Sequence, residues 1–399
     1  MAILNTGINQ DKIQEMNRSL VISLLREEGV CSRVQLARRT DLKQATVTNI
    51  INDFINWGLV KEVGFLSGNK GRRSIGIALN TDIYRVIGVR LTRKNYSVGL
   101  FDLTDKMHLS KSVETDSNDD PRVIFQNITQ TITDIIKESG DCKILSIGVA
   151  IPGPFMKKEG RIVLMTEVPG WQNILIEKEL EEIFCMPVFL EHDANLGAYA
   201  QLWHSKDIKK SEGLIYIAAG QGIGAGILIN GELFKGTLGF AGEIGHTSIK
   251  FDGHKCECGN RGCLEKYCSS IVFTNAVNRE MHRSEKIKLR QIAELIKAGD
   301  EICLEQYKIA CEYLGIGIVN LINSFNPDTI IIGDEMAHIN PQVMIDTINK
   351  TVKDKVIPEV WNNLKIKISD IKNDSILHGA GIVAINEIFK RPAQFVNID

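Results

Sequence analysis

The chain has 399 residues, 44% of them apolar, enough for two or three domains with well-buried cores. No apolar stretch approaches the roughly 20 residues a membrane span needs, and the first twenty residues lack a basic start followed by an apolar run. Nine cysteines, an odd number without secretory features, argue against a disulfide framework and for reduced thiols, so a cytoplasmic protein is expected.

The net charge of −2 is silent on partners, but its distribution is not. Residues 1–80 hold eleven Lys and Arg against seven Asp and Glu, a surplus of +4, which leaves −6 for the remainder. A basic end on an acidic body suits contact with a polyanion. Within that end, residues 11–28 carry Ile13, Met16, Leu20, Ile22, Leu24 and Leu25 at near-helical spacing and are expected to pack a core. Ser32 opens a second helix over residues 33–40, with Gln35 placed to complete a capping box. Asp41, Leu42 and Lys43 make a turn. A third helix over residues 44–57 faces Val47, Ile50, Ile51, Phe54 and Ile55 inward until Gly58 stops it. Residues 59–65 and 74–79 read as two strands around a polar loop. After Asn80, strand-like runs (86–89, 97–101, 144–151) alternate with helical stretches such as 123–137, and a second set follows at 214–219, 224–229 and 329–332. Two successive α/β blocks predict two lobes with a cleft between them.

A short helix, a tight turn and a second helix form a helix-turn-helix, whose second helix enters the major groove. Its outward residues are Gln44, Ala45, Thr46, Thr48 and Asn49, with Arg33 nearby. Gln and Asn bond adenine edges, and Ala and Thr methyls suit the thymine methyl. The loop bearing Lys70, Arg72 and Arg73 between glycines would be the wing, reaching a narrow minor groove and favouring A·T-rich flanks. The expected partner is operator DNA, an inverted repeat read by a homodimer or higher homo-oligomer.

Cys256, Cys258 and Cys263 offer three thiolates within eight residues, and Gly259 and Gly262 permit the turns that bring them together. Three thiols and one imidazole suit a closed tetrahedral Zn²⁺ site of structural type. His246 is the best fourth ligand, with His254 and Cys268 as alternatives.

At these residues the sequence resembles a known family. Gly242-Glu243-Ile244-Gly245-His246 followed by the Cys-x-Cys-Gly-x-x-Gly-Cys-x-Glu run ending at Glu265 is similar to the ROK family of repressors and sugar kinases. The resemblance covers nearly the whole chain and is closest to the xylose repressors of Gram-positive bacteria. It implies an α/β protein with an N-terminal winged helix-turn-helix (1–80) followed by a two-lobed actin-like domain. The first lobe would take residues 81–195 and be completed by a C-terminal helix at about 375–399; the second, with the zinc motif, would take 196–374. It further implies a sugar site built from Asp193, Glu243, His246 and Glu265, with His246 serving both metal and sugar. Two positions depart from the family pattern, His192 and the loop from Thr166 to Trp171.

The kinase members' first phosphate loop is missing, because Ile87 to Lys94 has neither its acidic residue nor its paired glycines. The second glycine loop, Gly220 to Gly226, survives, while Ile332 to Glu335 lacks the usual glycine run. Phosphoryl transfer needs both nucleotide and metal positioned, so a non-enzymatic repressor released from DNA by a neutral aldose is expected. A bifunctional sugar kinase is the competing reading, and a sugar-loaded activator differs only in the sign of coupling. Replacing Arg72 and Arg73 together by Ala is predicted to weaken operator binding and flatten its log–log salt dependence by about two units, since each phosphate neutralised adds about 0.9 to the slope. Unchanged affinity and slope in an anisotropy titration would remove the wing from the interface.

Overall fold

The computed structural model describes residues 9–396 except 67–73, 117–118, 154, 157–159, 164, 166–167, 169, 206–207, 209–210, 283–284 and 372–373. The N-terminal unit contains α1 (Gln10–Glu28), β1 (Val30–Ser32), α2 (Arg33–Thr40), α3 (Gln44–Asn56), β2 (Val60–Leu66) and β3 (Ser74–Leu79). Ser32 and Gln35 form the capping box expected of them, satisfying two otherwise unpaired amides at the start of α2. Asp41 turns the chain in the left-handed region at φ 56°. Leu36, Val47, Ile51 and Phe54 are fully buried. The hairpin gains a third strand that the sequence pattern did not reveal, in the order β1-β3-β2. The expected burial of Ile13, Met16 and Leu20 is not found: all three are exposed, because the buried face of α1 is carried by Val21, Ile22 and Leu25, while its first half meets the protein through the polar Arg18, paired with Asp53.

The body is two sheets of the same topology. The first comprises β4 (Tyr84–Leu91), β5 (Asn95–Asp102), β6 (Met107–Glu114), α4 (Pro121–Glu138), β7 (Lys143–Ile151), the short pair β8 (Phe155–Met156) and β9 (Arg161–Ile162), α5 (Ile176–Phe184) and β10 (Val188–His192). Its strand order is β10-β7-β4-β5-β6, an antiparallel meander extended by two parallel strands. After α6 (Asp193–His204) comes the second, with β11 (Gly213–Ala219), β12 (Ile223–Ile229), β13 (Glu232–Leu233), α7 (Glu265–Cys268), α8 (Ser270–Glu280), α9 (Leu289–Lys297), α10 (Glu301–Phe325), β14 (Thr329–Gly333), α11 (Pro341–Lys353), α12 (Pro358–Asn363) and β15 (Lys365–Ile368). Its order, β13-β12-β11-β14-β15, repeats that scheme. The chain ends in α13 (Ser375–Lys390) and α14 (Pro392–Val396).

Helices α6 and α13 lie together between the sheets, α13 on the first and α6 on the second. The division the sequence suggested at 195/196 therefore falls inside α6, which is a single element. Close approach depends on glycine: a Cβ at Gly148 would stand 1.9 Å from the Ala380 carbonyl oxygen, and one at Gly379 would stand 2.1 Å from that of Leu196. Among the described residues no helix is long and apolar enough to cross a membrane.

The N-terminal unit is packed onto the body of the protein rather than hung on a loose linker. Val21, Ile22 and Leu25 of α1 share one continuous core with Phe101, Leu377, Ala384, Ile385, Ile388 and Phe389 of the first lobe and α13. The Tyr84 hydroxyl donates to the Trp57 carbonyl at 2.6 Å across the same joint. Because Ile385 is completely buried there, Ile385→Ala should cost about 2–5 kcal/mol through reduced burial and an unfilled cavity. A chemical-denaturation loss below about 1 kcal/mol would mean that α1 and α13 are not close-packed.

Candidate ligand cleft, metal centre and DNA-reading face

In open α/β sheets, ligands bind beyond the carboxyl ends of the parallel strands. Here β4, β10 and β14 all end at a single cavity of about 480 Å³ between the lobes, within the range of small-molecule pockets. Asp193, Glu243, His246 and Glu265, the four residues the resemblance assigns to sugar, all line it. Asp193 enters as the first residue of α6. The turn before it is fixed by Glu191, whose Oε1 accepts from the His192 amide at 3.1 Å and the Asn195 side chain at 3.0 Å. Glu243 precedes a single 3-10 turn that His246 ends, and Glu265 starts α7. Burial pushes the Glu243 carboxyl above its ordinary range, opposed by His192 and His246 nearby.

His192, the departure from the family pattern, also lines the cavity. Its Nε2 lies 3.5 Å from Asp193 Oδ1 and 3.4 Å from Glu243 Oε1. Its buried Nδ1 has no hydrogen-bond partner among the described residues. An imidazole between two carboxylates, with a nitrogen left over, is matched to hydroxyls that both donate and accept.

Two cleft residues that motif reasoning did not assign to the site are Arg90 and Arg93. Arg90 Nη2 reaches Asp334 at 2.7 Å and Nη1 reaches Asp374 at 2.8 Å, tying the end of β4 to the segment after β14 and to the residue capping α13. Arg93 reaches Glu265 at 2.8 Å and donates to the Gln221 carbonyl at 3.0 Å. Glu265 also accepts from the Ile223 amide at 3.1 Å. A Cβ at Gly220 would meet Asp334 at 2.2 Å, and one at Gly222 would meet Glu265 at 2.9 Å. The surviving glycine loop therefore makes room for the protein's own ion pairs. The sequence did carry a signal, because Arg90 is a charge inside the apolar run from Val86 to Leu91.

The cysteines meet as the spacing anticipated. The ligand atoms of His246, Cys256, Cys258 and Cys263 all lie within 4.8 Å of one another. His246 Nδ1 faces Cys256 Sγ at 3.6 Å, and Cys258 Sγ faces Cys263 Sγ at 3.7 Å. The alternatives fall away: Cys268 is buried and directs its thiol at the Leu264 carbonyl, and His254 packs on Tyr267. Burial and the adjacent thiols push the Cys263 thiol up to about 12. The donor set, soft and pre-gathered, fits a tetrahedral metal ion.

On the helix-turn-helix, Gln44, Ala45 and Asn49 are exposed and Thr46 and Thr48 half-buried at the solvent face of α3. The Thr48 hydroxyl donates back to the Gln44 carbonyl at 2.8 Å. Arg33 is engaged within the protein, 3.1 Å from Glu62. Lys70, Arg72 and Arg73 lie outside the described residues, as do Thr166 and Glu167.

Two actin-like lobes around a cleft, with a helix-turn-helix unit packed on one of them, define a sugar-kinase-like fold that carries an N-terminal helix-turn-helix. The chain belongs to the ROK family, whose model matches residues 86–387. It is 28% identical over 397 residues to the xylose repressor of Caldicellulosiruptor bescii, covering 96% of this chain and 99% of that protein. A solved ROK family transcriptional regulator, a homolog of the E. coli MLC protein, superimposes with a TM-score of 0.78 at 24% identity, over 95% of this chain and 97% of its own. A ROK family glucokinase from Streptomyces griseus, in complex with glucose and AMPPNP, gives 0.68 at 22% identity, over 75% of this chain and 99% of its own.

Proposed function

We propose that this chain is a sugar-responsive transcriptional repressor whose operator affinity is set by the state of the interlobe cleft. The observation that carries the reading is the continuous packing from cleft to DNA-side unit. Asp374, which caps α13, pairs with Arg90 in the cleft, and Ile385, Ile388 and Phe389 farther along α13 share a core with α1. A ligand that rearranges the cleft can therefore act on the helix-turn-helix through one rigid element.

Asp193, Glu243, His246 and Glu265 would hold a neutral aldose, glucose- or xylose-like, with His192 as a further hydroxyl partner. The cleft's two arginines are already paired with carboxylates, which disfavours a phosphorylated sugar. Glu265 is free to serve a sugar only when Arg93 yields, so the ligand competes with an internal ion pair. His246, Cys256, Cys258 and Cys263 would hold a structural Zn²⁺. Fixing Nδ1 of His246 on the metal leaves Nε2 to orient toward the sugar, and the ion's role ends there. Gln44, Ala45, Thr46, Thr48 and Asn49 would read base edges, with Arg33 at the edge of that face and Lys70, Arg72 and Arg73 on the wing. A homodimer would place two such faces on an inverted repeat.

The kinase reading is disfavoured by the same arginines. A phosphate entering beside Gly220 would have to displace Asp334 from Arg90, and no carboxylate of β4 stands ready for Mg²⁺.

Labelled DNA from the gene's own promoter is expected to bind this protein tightly and to be released by one neutral sugar from a panel, read by fluorescence anisotropy. Asp193→Asn should keep DNA affinity and lose release, while Arg93→Ala should lower the sugar concentration needed. If a sugar tightens binding, the sign of coupling is reversed; if sugar and DNA affinities prove independent, the allosteric reading fails. Protein purified without chelators should lose one zinc per chain on Cys258→Ser, read by metal analysis. An unchanged metal content would remove the cysteine cluster from the zinc site.

A further inference from the structure

A second group of ligating side chains lies outside the cleft, at the corner where α6, α13 and the β5–β6 turn meet. Asp105, in that turn, has a completely buried carboxylate. Its Oδ2 lies 2.8 Å from His204 Nε2, at the end of α6, and 2.8 Å from His378 Nδ1, in the first turn of α13. The three ligand atoms lie within 4.8 Å of one another.

Hydrogen bonding accounts for this cluster incompletely. Two imidazoles converge on one carboxylate oxygen, while Asp105 Oδ1 is buried without a hydrogen-bond partner among the described residues. A buried carboxylate oxygen without a partner forfeits its hydration without compensation. Asp105 sits in the β5–β6 turn at φ 68°, a left-handed conformation that Asp adopts more readily than most residues. The distances fit an ion. Ligands bound about 2.1 Å from a tetrahedral metal stand about 3.4 Å apart, so an opening of roughly half an ångström would admit one.

We propose that Asp105, His204 and His378 form a second divalent-metal site, for a borderline transition ion such as Zn²⁺. Two imidazoles and one carboxylate are too nitrogen-rich for Ca²⁺ or Mg²⁺ and suit the zinc-to-nickel series. The His204 side chain is 39% exposed, which gives the ion an entry path and leaves coordination positions to water. The site ties the first helical turn of α13 to the first lobe. It also adjoins the DNA-side unit, because Arg26 of α1 stacks 3.7 Å over the ring of Trp203, the residue before His204.

The test is a Co²⁺ titration of full-length, zinc-loaded protein, followed by its ligand-field absorption and by metal analysis after desalting. Wild type is expected to take up one Co²⁺ per chain beyond the cysteine-bound zinc. His204→Ala, a change at a partly exposed position, should weaken that uptake by about 10–100-fold or more while the cysteine zinc stays. Asp105→Asn, which keeps the shape and tolerates the positive φ, should do the same. Absence of a second equivalent in wild type overturns the proposal. So does uptake by both variants with wild-type affinity, since Co²⁺ would then be held elsewhere. Neither result bears on sugar-dependent release of DNA, so this proposal and the repressor reading fail separately.

Discussion

The arrangement of the molecule turns on one buried cation. Arg90 ends a strand of the first sheet, and its guanidinium joins Asp334 beyond the second sheet to Asp374 at the head of α13. Three segments far apart in sequence are thereby fixed relative to one another. Desolvation alone would disfavour so deeply buried a charge, and the two carboxylates more than restore it, holding the guanidinium pKa well above its ordinary value. Such a group is hard to half-undo: removing one partner of a buried ion pair costs about 3–5 kcal/mol, because the remaining charge is stranded.

Helix α13 gives that latch a long reach. It begins in the cleft, passes between the sheets with α6 against it, and ends in the core that holds α1. Its early residues are small where it is most crowded, at Gly379, Ala380 and Gly381, and large and apolar where it meets α1. A helix packed on all sides transmits displacement and absorbs little of it, since protein interiors are as dense as molecular crystals. The same packing that stabilises the fold runs from the cleft to the N-terminal unit.

The cleft and the cysteine cluster are likewise one construction. His246 belongs to both, so whatever holds its Nδ1 also aims the remainder of the ring. Arg93 on Glu265 and Arg90 on Asp334 fill the places where a Cβ on the glycine loop would otherwise stand. The loop's glycines and the paired arginines are mutually dependent.

Much of this was legible in the sequence because it is local. The capping box at Ser32 and Gln35, the periodicity of α3 and the convergent spacing of Cys256, Cys258 and Cys263 each depend on residues a few positions apart, whose geometry the backbone nearly dictates. The grouping of Asp193, Glu243, His246 and Glu265 came from motif resemblance, and the fold brings them to one cavity. What pattern alone left open is long-range: the pairing of residue 90 with 334 and 374, the convergence of Asp105, His204 and His378, and the solvent exposure of Ile13, Met16 and Leu20. Periodicity says that one face of α1 is apolar, but only the position of α13 determines how much of that face is covered. A charged or ligating side chain carries no record of its partner in its own neighbourhood. The sequence by itself thus determined the elements and the gathered cysteines, whereas tertiary packing decided which distant charges meet and so joined the cleft to the DNA-reading end.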